Sequence, residues 1–202
     1  QKAKAYSLGV PYGMKGYALG MTLGIETEEA EKLIENYLNG FPELKKWMKE
    51  SEEKAQHLGY VESEVGRKRH LPEVKRLHTI YGTKLLDFKY RPKLVKKFGK
   101  EKVMNMYRDY KNGLNNAKNV QIQSLAASIV NMAAIEINKE LERRGIDGWV
   151  ALQIHDQLVV NVPEDRAEEC RELVQDIMEN NYKLSLDLKA PAELGKNLYE
   201  AH

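Results

Sequence analysis

A chain of 202 residues, 42% hydrophobic and 31% charged, is long enough for one domain with a substantial core or for two small subdomains. It carries no uninterrupted apolar run of about eighteen residues and no charged-then-apolar leader, so neither a membrane partner nor export is expected. The single cysteine, Cys170, excludes an internal disulfide and fits a reducing compartment.

Helical periodicity dominates along the chain. Residues 1 to 12 read as a helix with Lys4 and Leu8 on one face. Thr27 is placed to cap a second helix in which Ala30, Leu33, Ile34, Tyr37 and Leu38 recur at helical spacing. Phe41-Pro42 breaks it, and another helix runs through Leu44, Trp47 and Met48 to a stop at Gly59. Tyr60 to Leu71 reads as a short hairpin turning near Gly66. A long helix from about Asn119 to Arg144 sets Ile122, Leu125, Ala126, Ile129, Ala133 and Ile137 on one face and ends at Gly145. Val150, Leu152 and Ile154 alternate before His155-Asp156, and Leu158, Val160 and Val162 alternate after it, which predicts two strands folded back on each other. Pro163-Glu164-Asp165 opens a helix to about Asn180, where Cys170 joins Leu173, Val174 and Ile177 on a core-facing side. Leu184, Leu186 and Leu188 alternate as a last strand. The expected class is α+β, mostly helical.

A net charge of +2 hides an uneven distribution. Residues 73 to 111 hold twelve Lys or Arg against four Asp or Glu, about +8, which leaves about −6 for the rest. With Tyr81, Phe88, Tyr90, Phe98, Tyr107 and Tyr110 interleaved, this stretch suits a surface lying along a phosphate backbone; a solvated helix face is the alternative.

Two segments carry chemistry. His155-Asp156-Gln157 sits between the two strands, where a stiff hairpin holds a carboxylate, unless it is only a polar turn. At the start of the chain Lys4, Leu8-Gly9 and Tyr12-Gly13 follow one another at set spacings. Together the segments resemble motifs C and B of the family A DNA polymerases, the bacterial DNA polymerase I type. The resemblance extends to Asn119 and Gln123 on the long helix, to Gly59-Tyr60-Val61, Gly66-Arg67 and Leu71-Pro72, and to the closing run from Gly195 to His202. It covers nearly the whole chain except the basic stretch after Pro72.

What the resemblance implies is specific. Residues 1–118 would be a fingers subdomain with a basic insertion at about 73–111. Residues 119–202 would be a palm portion with the long helix, the motif C hairpin and the C-terminal strand, part of an antiparallel palm sheet. The implied function is template-directed DNA synthesis, the transfer of dNTPs to a primer 3′ end on a DNA primer–template. Asp156 would ligate Mg²⁺ in a two-metal site and, with Lys4, form the catalytic set. Lys4, Leu8, Tyr12 and Gly13 would bind the incoming nucleotide, Lys4 as a point charge on its triphosphate. His155, Gln123, Asn119 and Arg67 would meet the primer–template, the two amides testing minor-groove acceptors that every Watson–Crick pair presents. Plainer alternatives are an exposed helix lysine, a helix-end aromatic at Tyr12, core packing at Leu8, surface amides on the helix and a structural turn histidine.

The sequence also departs from the family. Gln157 stands where the family has Glu, Leu8 where it has Phe or Tyr, and Asn115 where it carries an Arg toward the minor groove, a contact that Lys118 could supply. Motif A, with the second metal carboxylate, lies upstream of motif B in the family. The chain therefore reads as the C-terminal part of a polymerase that needs an upstream segment, in the same polypeptide or in a companion chain. The expected setting is the cytoplasm of a bacterial or phage-infected cell, in association with the nucleoid. The competing reading, favoured by Gln157, is a non-catalytic DNA-binding or assembly module derived from a polymerase. A single-subunit RNA polymerase relative would share the Lys and Tyr-Gly spacing.

Overall fold

The computed structural model describes residues 2–201, with side chains from residue 6 onward. The chain divides into two compact units, Gln1–Ile122 and Gln123–His202. Its elements are mostly helices, with two small antiparallel sheets.

In the first unit α1 (Lys2–Gly9), α2 (Gly16–Leu23), α3 (Thr27–Gly40) and α4 (Pro42–Leu58) precede a hairpin of β1 (Tyr60–Glu62) and β2 (Lys68–His70). Then come α5 (Pro72–Tyr81), a 3₁₀ turn at Gly82–Leu85, α6 (Arg91–Phe98) and α7 (Lys100–Arg143), which continues into the second unit. α1 stops earlier than its periodicity suggests. Pro11 has no N–H to extend it, and the chain turns so that the Gly13 N–H donates to the Val10 carbonyl at 3.0 Å. The Tyr6 hydroxyl donates to the Leu33 carbonyl at 2.6 Å, and its ring meets Tyr37 edge-on at 5.3 Å, which fixes α1 on α3. Glu26, not Thr27, occupies the cap position of α3, and no side chain closes on it. Thr27 is the first helical residue, and Glu28 and Glu29 complement the positive end of the helix dipole.

The core of this unit gathers Ala55, Val61, Leu71, Val74, Leu77, Leu85 and Leu94 against Val103, Met106, Tyr110, Leu114 and Ala117 of α7. Those last five recur every three or four residues, so one buried stripe carries the helix back to Lys100, well before the Asn119 start read from the sequence. The stripe is hidden in the sequence by the lysines around it. The β1–β2 register pairs Tyr60 with His70 and Glu62 with Lys68, and Gly66 at φ 78° makes the turn, as the sequence suggests.

In the second unit Ala133, Ile137 and Leu141 of α7 pack with Ile146 and with Cys170, Leu173 and Ile177 of α8 (Ala167–Asn180). Over them lies a hairpin of β3 (Trp149–Ile154) and β4 (Gln157–Asn161), through Val150, Leu158 and Val160. α7 also holds an eighteen-residue window of mean hydropathy 1.3, long and apolar enough to cross a membrane by those two measures alone. Polar residues such as Gln121, Gln123 and Asn131 interrupt α7, so a search for unbroken apolar runs misses it. Ile129, Val130, Ala133, Ile137 and Leu141 of α7 are buried, and 28% of that window is buried in all.

Two strand expectations are corrected. The alternation of Val150, Leu152 and Ile154 does not bury all three, because the ladder shifts register between Val150 and Leu152. The extra residue, Ala151, sends Leu152 and Ile154 to the face away from the core, where they are 48% and 44% exposed. The strand expected at Leu184 to Leu188 does not form, and Leu186 is 80% exposed. Alternation needs a neighbouring strand to satisfy its backbone groups, and none lies there among the described residues. Instead the Ala190 N–H donates to the Glu179 carboxylate at 3.1 Å.

Candidate functional site

The β3–β4 hairpin turns through two residues only, since Ile154 pairs with Gln157 across His155-Asp156. So tight a connection requires a positive φ, and His155 supplies it at 55°, the one non-glycine residue to do so among those described. A side chain in that conformation costs on the order of 1–3 kcal/mol and persists where the surroundings impose it, often at functional positions. Asp156 follows it, exposed at the tip, with no hydrogen bond or ion pair to another described residue. The hairpin is tied down at its other end, where the Val150 N–H donates to the Asn138 Oδ1 of α7 at 2.9 Å, beside the bulge. Asn138 was not singled out from the sequence; its partner is a backbone group freed by an irregularity that no sequence pattern announces. The result is a free carboxylate on a short, anchored support.

Gln157 begins β4 in the ladder beside Asp156 and is exposed. Gln123, also of this unit, is exposed on α7. Asp156 offers the hard oxygen that Mg²⁺ prefers, and such ions are held by one or two protein carboxylates together with water and substrate phosphates. Among the described residues no cluster of three or more His, Cys, Asp or Glu side chains gathers. Asp156 thus fits a shared site, with the remaining ligands from elsewhere, and does not fit a closed cage within this chain.

The remaining sequence-derived residues lie in the first unit. Lys4 falls in α1, but its side chain lies outside the described residues. Leu8 and Tyr12 are 52% and 40% exposed, so neither is core packing. Gly13, at φ 85°, presses against Asn115 of α7: a β-carbon there would lie 2.6 Å from Asn115 Oδ1. Only glycine suits that turn, and the Asn115 that departs from the family pattern is the residue packed against it. Around them opens a cleft of about 480 Å³ whose walls include Lys15, Tyr17, Arg108 and Lys111, a basic pocket not foreseen from the sequence. Its two walls stand about ninety residues apart along the chain, which is why no local motif signals it.

Arg67 is exposed just before β2, its carbonyl accepting from the Ser63 N–H at 3.0 Å. Asn119 is half-buried, and its Oδ1 is buried without a hydrogen-bond partner among the described residues. Lys118 is not available as a substitute contact. Its side chain is 4% exposed and its Nζ lies 2.5 Å from a Glu52 carboxylate oxygen, while the adjoining Gln121 donates to Ser51 Oγ at 2.9 Å. The pair joins α7 to α4, and removing Glu52 would leave an uncompensated buried ammonium, which is costly.

Comparison with known proteins concerns the chain as a whole. The signature of DNA polymerase family A matches residues 1–200. A thermostable DNA polymerase I of Thermus filiformis is 33% identical over 199 residues, which are 98% of this chain and 20% of that protein. The DNA polymerase I of Streptococcus pneumoniae is 32% identical over 202 residues, all of this chain and 20% of its own length. The chain therefore spans about a fifth of the curated relatives it matches. Among solved structures, the POL domain of Pol1 from M. smegmatis, in complex with DNA primer-template and dNTP, superimposes with a TM-score of 0.72 at 28% identity, covering 93% of this chain and 28% of that one.

Proposed function

Because the chain belongs to DNA polymerase family A, we propose that it is the fingers and distal palm portion of a template-directed DNA polymerase, which transfers dNTPs to the 3′ end of a DNA primer. The domain division proposed is fingers over residues 1–118, with the basic insertion at about 73–111, and palm over 119–202. The observation that carries the reading is the free Asp156 carboxylate at the tip of an anchored two-residue turn. A polymerase fold in complex with primer-template and dNTP supports it.

The reaction is an in-line displacement at phosphorus, in which positioning and charge stabilisation do most of the work. Asp156 would hold Mg²⁺, with the second carboxylate supplied by an upstream segment carrying motif A. Bound there, the ions lower the proton affinity of the primer hydroxyl and offset charge on the leaving pyrophosphate. Lys4 meets the triphosphate, Leu8 and Tyr12 line the nascent pair, and Gly13 lets the chain turn beneath it. His155 would lie near the primer terminus, Arg67 would meet the primer–template, and Gln123 and Asn119 would reach the minor groove. With Gln157 in place of a carboxylate, metal affinity rests more heavily on Asp156. The working place of such an enzyme is the bacterial or phage-infected cytoplasm, at the nucleoid.

In the complete enzyme, Asp156→Ala is expected to abolish metal-dependent primer extension while leaving DNA binding largely intact; extension at the wild-type rate by this variant overturns the reading. Gln157 favours one other reading, a non-catalytic DNA-binding module, whose mark is salt-dependent DNA binding unaffected by Mg²⁺ with no nucleotide affinity in any assembly.

A further inference from the structure

The basic stretch at about 73–111, read from the sequence as an insertion, places several of its cations over aromatic rings. Between Gly82 and Lys111 the chain holds ten Lys or Arg against three Asp or Glu. Lys84 and Lys93 lie 5.1 and 5.7 Å from the Tyr90 ring centroid. Arg91 and Lys111 lie 4.0 and 5.8 Å from that of Tyr107, and Lys97 and Lys102 lie 5.1 and 5.9 Å from that of Phe98. Three rings thus hold two cations each, all within the range of cation–π attraction. The ion pairs described in this unit are Lys49–Glu53, Lys68–Glu62, Arg76–Glu73 and Lys118–Glu52, and none engages these six.

The difference matters physically. A carboxylate partner would position a lysine and cancel its charge, whereas a ring positions it and leaves the charge intact. The lobe is therefore a set of pre-placed, unneutralised cations, complementary to a phosphodiester chain. Phe88 adds a second feature. It lies in the loop between the 3₁₀ turn and α6, 81% exposed, and that loop is ordered by the Lys89 N–H donating to Asp87 Oδ1 at 2.8 Å. An apolar ring held in water beside phosphate-binding cations suits stacking on an unpaired base. A duplex keeps its base faces covered and offers the ring nothing.

We propose that the lobe from Gly82 to Lys111 binds single-stranded nucleic acid, its phosphates on the cation pairs of Tyr90, Tyr107 and Phe98 and a base on Phe88. On the polymerase reading, on which this assignment rests, that strand is the template.

The test uses the complete polypeptide that carries this chain and a fluorescent oligothymidylate of roughly 12 nucleotides. Phe88→Ala is expected to weaken binding by roughly five- to 150-fold. Phe88→Trp restores it, and neither variant alters the salt dependence. The Lys84→Gln/Lys93→Gln double variant lowers the slope of log affinity against log salt by about 1.4, from about 0.7 per phosphate on a single strand. Unchanged affinity in Phe88→Ala, an unchanged slope in the double variant, or a duplex of equal length bound as tightly as the single strand overturns the proposal. Primer extension by the wild-type protein is followed alongside. Extension together with variants that bind like wild type rejects the lobe site alone, whereas no extension rejects the polymerase reading while the oligonucleotide result still decides the lobe.

Discussion

The hairpin of the second unit and the inserted lobe of the first present charge in opposite ways. At the hairpin a single carboxylate, Asp156, stands at a turn whose geometry is set mainly by backbone: a two-residue connection, a left-handed His155 and a bulge at Ala151, with one side-chain tie from Asn138. In the lobe six cations are spread over three rings, each held by an interaction that is weak singly and tolerant of angle. The contrast fits the two tasks proposed for these regions. Chemistry at phosphorus needs one oxygen fixed to within a fraction of an ångström, whereas following a phosphate backbone needs many charges placed approximately.

The comparison breaks first at Asp156. Its replacement by Ala in the complete enzyme is expected to reduce primer extension by about 10³-fold or more, the loss of several kcal/mol of charge stabilisation. Removing one lobe lysine, by contrast, changes the salt slope and leaves a working enzyme at low salt. Steady-state extension assays on both variants separate a site that depends on one group from one that sums over many.

Gly13 comes next. Gly13→Ala meets both a φ of 85° and Asn115 Oδ1 at 2.6 Å, and is expected to cost about 1–3 kcal/mol of stability by denaturant unfolding. Adding Asn115→Gly relieves the contact but not the backbone strain, so the double variant should regain only part of the loss. Full recovery would show that space, not conformation, fixes glycine there.

At His155 the sign is the informative quantity. Ala is ordinarily more stabilising than Gly by restricting the unfolded chain, but at φ 55° Ala keeps the strain and Gly removes it. His155→Gly is therefore expected to be more stable than His155→Ala by about 1 kcal/mol, while both lose the ring and extend primers equally poorly. The reverse order in thermal unfolding would mean that the turn does not strain its histidine.

These same residues show what could be read before the structure. The two-residue turn was legible because apolar alternation stops on both sides of His155-Asp156, and period 2 is a local property. The bulge was not, since Ala151 leaves the alternation intact and only the partner strand reveals the shift. Leu184, Leu186 and Leu188 misled for the complementary reason: the pattern of a strand is present without a neighbour to pair with. The N-terminal half of α7 is legible in principle from Val103, Met106, Tyr110, Leu114 and Ala117, but the lysines and other polar residues between them obscure the spacing. Lys118 could not have been assigned from sequence, because its partner Glu52 lies 66 residues away. The basic cleft at Gly13 was hidden for the same reason.

The finest contrast between the units is in how protons act on them. In the first unit His78 Nδ1 lies 2.8 Å from the Tyr110 hydroxyl, and burial, then the neighbouring His57, pushes its pKa below the usual histidine value of 6.5. A lowered value means that the unfolded chain binds the proton more readily, so stability contributed here is present above about pH 6.5 and declines as the pH falls below it. In the second unit hydrogen bonds from Arg143 and then Arg144 hold the Glu140 carboxyl at about 2, against an ordinary 4.5. That contribution is intact down to about pH 4.5 and is lost only as the pH falls toward 2. Glu140 is half-buried but its Arg143 partner is exposed, so its effect is modest and weakened by salt. Hydrogen exchange corrected for intrinsic rates is expected to show α4 and α5 losing protection between pH 7 and 5.5 while α8 does not, and His78→Gln should remove the difference. Equal losses in both units, or a response that survives the substitution, would place the proton-sensitive group somewhere other than the His78–Tyr110 contact.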